Sequence, residues 1–257
     1  MTETPSFFWK DRLRASGLHF CISLGIATLA ALLVFFLWYP AYYREISGGR
    51  DLFLILVVVD VVLGPLITLV IFNRAKTWPV LARDLAVIAL LQLVALGYGM
   101  WTVFVARPVH TVFEYDRFRV VHAIDVPREK LDRTPAGIQA LPITGPTLLS
   151  LRPFRDADEN ISMTMAALQG LPLSAQPELW QPYAEARTQI LQAAKPVAAL
   201  KKRFPDRSGD IDEALARSGQ TAEKALYLPL IARRSFWTAL IDPATADIIG
   251  LIPLDPY

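Results

Sequence analysis

Apolar residues in this chain gather into three long runs near the start and then disperse. Leu18 to Tyr39 reads LHFCISLGIATLAALLVFFLWY, apolar throughout apart from His19 near its beginning. Leu52 to Phe72 is a second run, interrupted by Asp60, and Leu85 to Ala106 is a third that carries no charge. About 20 helical residues at about 1.5 Å each cross about 30 Å of hydrocarbon, and each run meets that length. The first is too long for the core of a cleaved signal, which has about 7–15 residues. WYPAYYRE after it offers no small-residue cleavage pattern. The pattern therefore predicts transmembrane helices at about 18–39, 52–72 and 85–106.

After Ala106 the period shortens. VHTVFEYDRFRVVHAIDV (109–126) reads as a β-hairpin with Tyr115-Asp116 as a two-residue turn. That register sets Phe113 against Phe118, Thr111 against Val120 and Glu114 against Arg117, joining like apolar groups and opposite charges. Pro127–Arg133 starts a short helix. Residues 133–153 hold four prolines and two glycines and read as irregular. Helical composition returns over Ile161–Leu168 and Pro177–Leu200, the latter interrupted at Pro182 and Pro196. Asp210–Ser218 reads as a helix capped by Asp210 and ended by Gly219. Ala225–Ala232, Phe236–Asp242 and Ile248–Pro253 are strand-like, with turns at Arg233-Arg234-Ser235 and Asp242–Asp247. The expected architecture is a three-span α-helical transmembrane bundle, residues 1–106, followed by an α+β soluble domain, residues 107–257, with a small antiparallel sheet.

Composition changes this picture little. The chain is 53% hydrophobic and 19% charged, against about 25% charged in ordinary soluble domains, and the apolar excess lies in the first 106 residues. A net charge of +2 gives no nucleic-acid footprint. The single cysteine, Cys21, excludes a disulfide within the chain. Basic residues set an orientation. Lys10, Arg12 and Arg14 precede the first span, and Arg74, Lys76 and Arg83 lie between the second and third. Only Arg44 and Arg50 lie between the first and second. The bias puts the N-terminus inside and the C-terminal domain outside. Trp38, Tyr39, Tyr42 and Tyr43 then sit at the outer interface and Trp78 at the inner one.

Three features inside the bilayer go beyond anchoring. A carboxylate such as Asp60 costs about 2.5–3.5 kcal/mol there. Antiparallel packing of the second and third spans brings Gln92 to the depth of Asp60, so a hydrogen bond between the two side chains is expected. Three uses of Asp60 stay open: an internal bond, contact with another protein's transmembrane helix, and an ion path. Gly64-Pro65, one turn on, predicts a kink whose freed carbonyl needs a partner from the bundle. Ser23, Ala27 and Ala31 make a seam of small residues for close helix packing.

Catalytic chemistry is not in evidence. His19, His110 and His122 have no metal-ligand spacing, and the nucleophile-elbow, phosphate-loop and dinucleotide motifs are absent from the sequence. Asp156, Asp158 and Glu159 read as a solvated acidic turn. The expectation is a binding module, not an enzyme, without metal or cofactor.

Four segments carry a family resemblance: FFLWYP (35–40), GGRDLFLILVVVDVVLGPLITLVIF (48–72), RDLAVIALLQLVALGYGMW (83–101) and ARPVHTVFEYDRFRVVHAIDV (106–126). They resemble the TfpX/TfpZ-type type IV pilin accessory proteins, over about Arg14 to Val126. The resemblance implies a multi-pass protein of the bacterial inner membrane with a periplasmic domain. It implies action on pilin stability, pilus assembly or pilus dynamics, without catalysis. It names a type IV pilin as partner, beside other pilus assembly components and membrane lipid. The matching positions are Asp60, Gly64, Pro65, Asp84, Gln92, Arg107, Pro108, Asp116, Arg117 and Phe118. An envelope sensor or ligand-binding membrane protein is the alternative, although the inner side carries no output domain.

Overall fold

Three helices carry the apolar runs, at Trp9–Trp38, Gly49–Ile71 and Trp78–Val105, each long and apolar enough to cross a membrane. The computed structural model describes residues 6–233 and 235–257. Arg234, expected in a turn, lies outside the described residues. The first and third helices begin several residues before the apolar runs, because KDRLRASG and WPVLAR are rich in helix formers. The middle span packs against both of the others, which make no comparable contact with each other.

The chain divides into two compact units. One comprises the chain up to Leu37 together with Gly49–Val105; the other comprises Trp38–Gly48 and Ala106–Tyr257. The segment between the first two spans therefore belongs to the soluble unit. We call it the strap.

The soluble unit is built on eight strands: β1 Pro108–Glu114, β2 Arg117–His122, β3 Thr147–Leu151, β4 Trp180–Pro182, β5 Lys195–Pro196, β6 Leu226–Ile231, β7 Phe236–Ile241 and β8 Ile248–Ile252. The sheet runs β4-β3-β1-β2-β6-β7-β8, with β5 also on β6. The hairpin register is as expected, with Thr111, Phe113 and Glu114 opposite Val120, Phe118 and Arg117. The charges are paired differently. Arg117 turns onto its neighbour Asp116 at 2.6 Å, and Glu114 takes Arg119 at 3.3 Å. The long guanidinium side chains reach partners that the directly opposite position does not offer.

The small antiparallel sheet is corrected to a larger, mixed one. β3 lies parallel to β1, and β6 parallel to β2. β3 was hidden because it is a five-residue strand within the proline-rich stretch 133–153. Its pairing comes from a distant strand, not from local period. Pro177–Leu200 is broken at Pro182 and Pro196, as expected. Pro182 and Pro196 lack the N–H that a helix interior needs, and both lie in short strands, with α-helix at Arg187–Ala193 and Val197–Arg203 and 3-10 turns at Pro177–Leu179 and Tyr183–Ala186. The acidic cluster is not a solvated turn. Asp156 caps the helix Ala157–Leu168 by accepting from the Glu159 N–H at 2.7 Å. Glu159 is buried, with Arg152 and Arg155 at 2.7 and 2.6 Å. These guanidiniums hold its carboxyl far below the usual carboxylate range. The helix Ser208–Ser218 ends at Gly219 in the left-handed region, as expected, but Asp210 does not cap it and pairs instead with Arg207.

One core face gathers Phe113, Phe118, Leu228, Leu230 and Trp237, and Ile46 of the strap is fully buried among them. Burying such a side chain contributes about 1.5–3 kcal/mol. The strap adds a hydrogen bond between Tyr43 Oη and Thr111 Oγ1 (2.7 Å) and an edge contact between Tyr42 and Trp237. The opposite face of β1 and β2 packs Val109, Val112, Val121, Leu149 and Trp180.

Candidate functional site

Asp60 sits in a π-helical stretch, Val58–Leu63, in the middle span. A π-helix joins each carbonyl to the N–H five residues on. For the Asp60 carbonyl that residue is Pro65, which has no N–H. Gln92 supplies the missing donor, its Nε2 lying 3.1 Å from the Asp60 carbonyl oxygen. The expected side-chain bond between Asp60 and Gln92 is therefore corrected. The two residues do meet, but the carboxamide serves the backbone, because the orphaned carbonyl is the group that proline leaves behind. The chain continues as α-helix from Gly64 through Pro65 to Ile71. Gly64 makes room for this bond: a Cβ there would overlap the Gln92 carboxamide.

Both Asp60 carboxyl oxygens are buried and lack a hydrogen-bond partner among the described residues. Asp60 is only 7% exposed and lines two clefts in the bundle. One, of about 170 Å³, lies between the first and third spans and is floored by Ser23, Ala27, Asp60 and Gln92. The other, about 340 Å³, separates the middle and third spans near Leu56 and Gly99. Of the expected seam, Ser23 and Ala27 are buried and Ala31 is half-buried. Two further polar joins tie the first span to the second: Ser16 Oγ donates to the Pro65 carbonyl at 2.9 Å, and His19 Nδ1 meets Thr68 Oγ1 at 2.6 Å. The sequence reading missed these. The signal was there in matching i, i+3 spacing of Ser16/His19 and Pro65/Thr68 on two facing helices.

Gly64→Val is expected to expel Gln92 and leave the Asp60 carbonyl unpaired in the bundle, at about 1–3 kcal/mol for the lost partner alone. Recovery of folded protein from detergent-solubilised membranes should fall several-fold, as read by size-exclusion chromatography. Unchanged recovery would reject this role for Gly64.

The other resemblance positions are brought together with one another only in part. Asp84 takes Lys76 Nζ at 2.6 Å, and Lys76 also reaches the Ile71 carbonyl at the end of the middle span. Arg107 is buried and donates to the carbonyls of Pro142 and Leu141. Pro108 opens β1. Asp116 and Arg117 pair at the hairpin tip, with Arg117 over the Tyr257 ring. Phe118 is wholly buried.

The soluble unit has its own polar cleft, of about 410 Å³, where β2 and β6 stop pairing after Arg119 and Ile231. His122 lines it, with Nδ1 3.1 Å from Asp125 Oδ2 and a buried Nε2 without a partner among the described residues. His110 lies elsewhere, its Nδ1 on Thr147 Oγ1 and Nε2 on the Ala140 carbonyl. The two histidines use different partners, and no group of three metal-ligating side chains occurs among the described residues.

Comparison with known proteins bears on this arrangement. A fimbrial assembly protein of serogroup I from Dichelobacter nodosus is 36% identical over 246 residues, 95% of each chain. The chain belongs to the fimbrial assembly protein family. The serogroup E1 member of the same organism is 34% identical over the same coverage. A member from serogroups C1 and C2 is 40% identical over 118 residues, 46% of this chain and 90% of that protein. The family model described as Fimbrial assembly protein FimB matches residues 7–48, the first span and the strap. At 95% of the chain, the serogroup I and E1 matches extend the likeness well past Val126, into the soluble unit. No solved structure matches the chain.

Proposed function

We propose that this fimbrial assembly protein is a non-catalytic accessory factor of type IV pilus biogenesis, of the TfpX/TfpZ kind, which contacts its cognate pilin in the inner membrane. The observation that carries the reading is the identity of 36% over 95% of the chain to a protein named for fimbrial assembly. Three membrane-crossing helices and a soluble unit offer a partner both an apolar and an aqueous face. Strap and domain are separated by two of the three apolar helices. Two crossings return the chain to its starting side, so both face one aqueous compartment, the periplasm on the charge bias of the loops.

Deletion of the gene tests the reading. Surface pili, cellular pilin or twitching should fall, and the intact chain should restore them. Normal values of all three would reject it.

A further inference from the structure

The middle span is flanked by the first and third helices, which scarcely touch each other. Between them runs the smaller cleft, with Ser23, Ala27, Asp60 and Gln92 as floor and the exposed side chains Ile26 and Leu93 on its rim. The rim is that of a surface facing lipid. The floor is not, since the Asp60 carboxyl is buried there with neither oxygen hydrogen-bonded among the described residues. Lipid tails bring no donor to this depth, and a polar group left unpaired in hydrocarbon is strongly disfavoured. A second copy of this chain would offer little at this depth: its Ser16, His19, Thr28, Gln92 and Thr102 are engaged on Pro65, Thr68, Leu24, Asp60 and Tyr98, and its exposed Tyr98 and Trp101 lie beyond Gln92 toward the end of the third helix.

We propose that this cleft seats a fourth transmembrane helix, from a different protein, which places a hydrogen-bond donor on the Asp60 carboxyl. The donor is an amine, a hydroxyl or a carboxamide at mid-depth of an otherwise apolar helix. The small floor residues Ser23 and Ala27 admit the close approach such a bond needs. The π-helical turn carries Asp60 to the floor, and Gln92, by serving the backbone, leaves the carboxyl for the incoming helix. The inference deepens the function proposed above and rests on it for the partner's identity, the pilin, but not for the seat.

The test is photocrosslinking in native membranes, with the full chain co-expressed with the pilin of its own organism. Ile26 and Leu93 are replaced, one at a time, by benzoylphenylalanine, with Leu91 as control because it is exposed and does not line the cleft. Positions 26 and 93 should yield a pilin adduct at least tenfold above position 91. Asp60→Leu should remove at least nine-tenths of it while the protein still accumulates, since the carboxyl it replaces makes no internal bond. Asp60→Asn keeps an acceptor oxygen and should retain the adduct within threefold. Should Asp60→Leu fail to accumulate, Ile26→Trp fills the cleft without touching Asp60, and the adduct from position 93 should fall equally. An Asp60-dependent adduct with another single-helix protein, reproduced with that protein purified and reconstituted, supports the seat and rejects the pilin. An adduct with a second copy, one indifferent to Asp60→Leu, or none rejects the seat. The deletion phenotype then judges the pilus reading separately.

Discussion

Phe118→Ala should cost the soluble unit about 3–5 kcal/mol, a large part of the about 5–15 kcal/mol that holds an ordinary domain together. Phe118 is fully buried. Its ring lies 5.6 Å from that of Phe113 across the hairpin and is stacked on Tyr183 at 6.3 Å. Removing it empties the middle of the main core cluster, where Leu228, Leu230 and Trp237 are held by a sheet that has little freedom to close up. Phe118→Leu keeps most of the volume and should cost less, about 1.5 kcal/mol or under. Thermal unfolding of the detergent-solubilised chain, with limited proteolysis of the soluble unit as second readout, measures both. A loss below about 1 kcal/mol for the alanine variant would show that the cluster repacks. The result matters for reading phenotypes. Phe118 belongs to a block that carries the family resemblance, yet it acts through the fold. A variant there that abolishes pili would say nothing about partner contact.

Acid should loosen the same unit in a defined window. Burial pushes His110 from its ordinary value near 6.5 to about 4, because its charged form would lie against Trp180 at a ring distance of 4.5 Å. The folded state therefore keeps His110 neutral where the unfolded chain already binds a proton. Stability is fully present above about pH 6.5, falls as pH drops toward about 4, and this contribution is then spent, at about 3 kcal/mol in all. The Glu159 contribution begins to be lost near the ordinary carboxylate value of 4.5, so it overlaps only the acid end of that window and runs on below it, the guanidiniums keeping its folded-state carboxyl ionised. Tryptophan emission during urea unfolding at several pH values reports the effect. His110→Gln should flatten the slope between pH 6.5 and 4 whatever its own stability. An unchanged slope would reject the assignment.

Particular residues show where sequence reasoning reaches. The hairpin register was legible because Phe113/Phe118 and Thr111/Val120 leave a two-residue turn as the arrangement that matches apolar to apolar. The three spans were legible because a bilayer demands length and apolarity, both local properties. The parallel pairing of β3 with β1 was not legible, since nothing in TLLSL names a partner some forty residues earlier. Within the bundle, Asp60, Gly64, Pro65 and Gln92 stand out by residue type, but their wiring is not legible. It turns on a helix widening from four-residue to five-residue spacing, which side-chain identities alone do not specify. The strap reads in sequence as a loop with interfacial aromatics, while Ile46 and Tyr43 belong to a core made largely of residues after Ala106.

That last feature decides how the soluble unit comes into being. Its first piece, Trp38–Gly48, leaves the ribosome ahead of two apolar helices, and the rest follows only after them. The early piece must wait, with Ile46 and its neighbouring aromatics unsheltered, until the sheet that receives it has been made. A fragment beginning after the third helix would carry the sheet with an empty notch where Ile46 belongs. A faithful soluble version is therefore a rewired one, in which the strap is spliced by a short linker to the sequence that begins at Ala106.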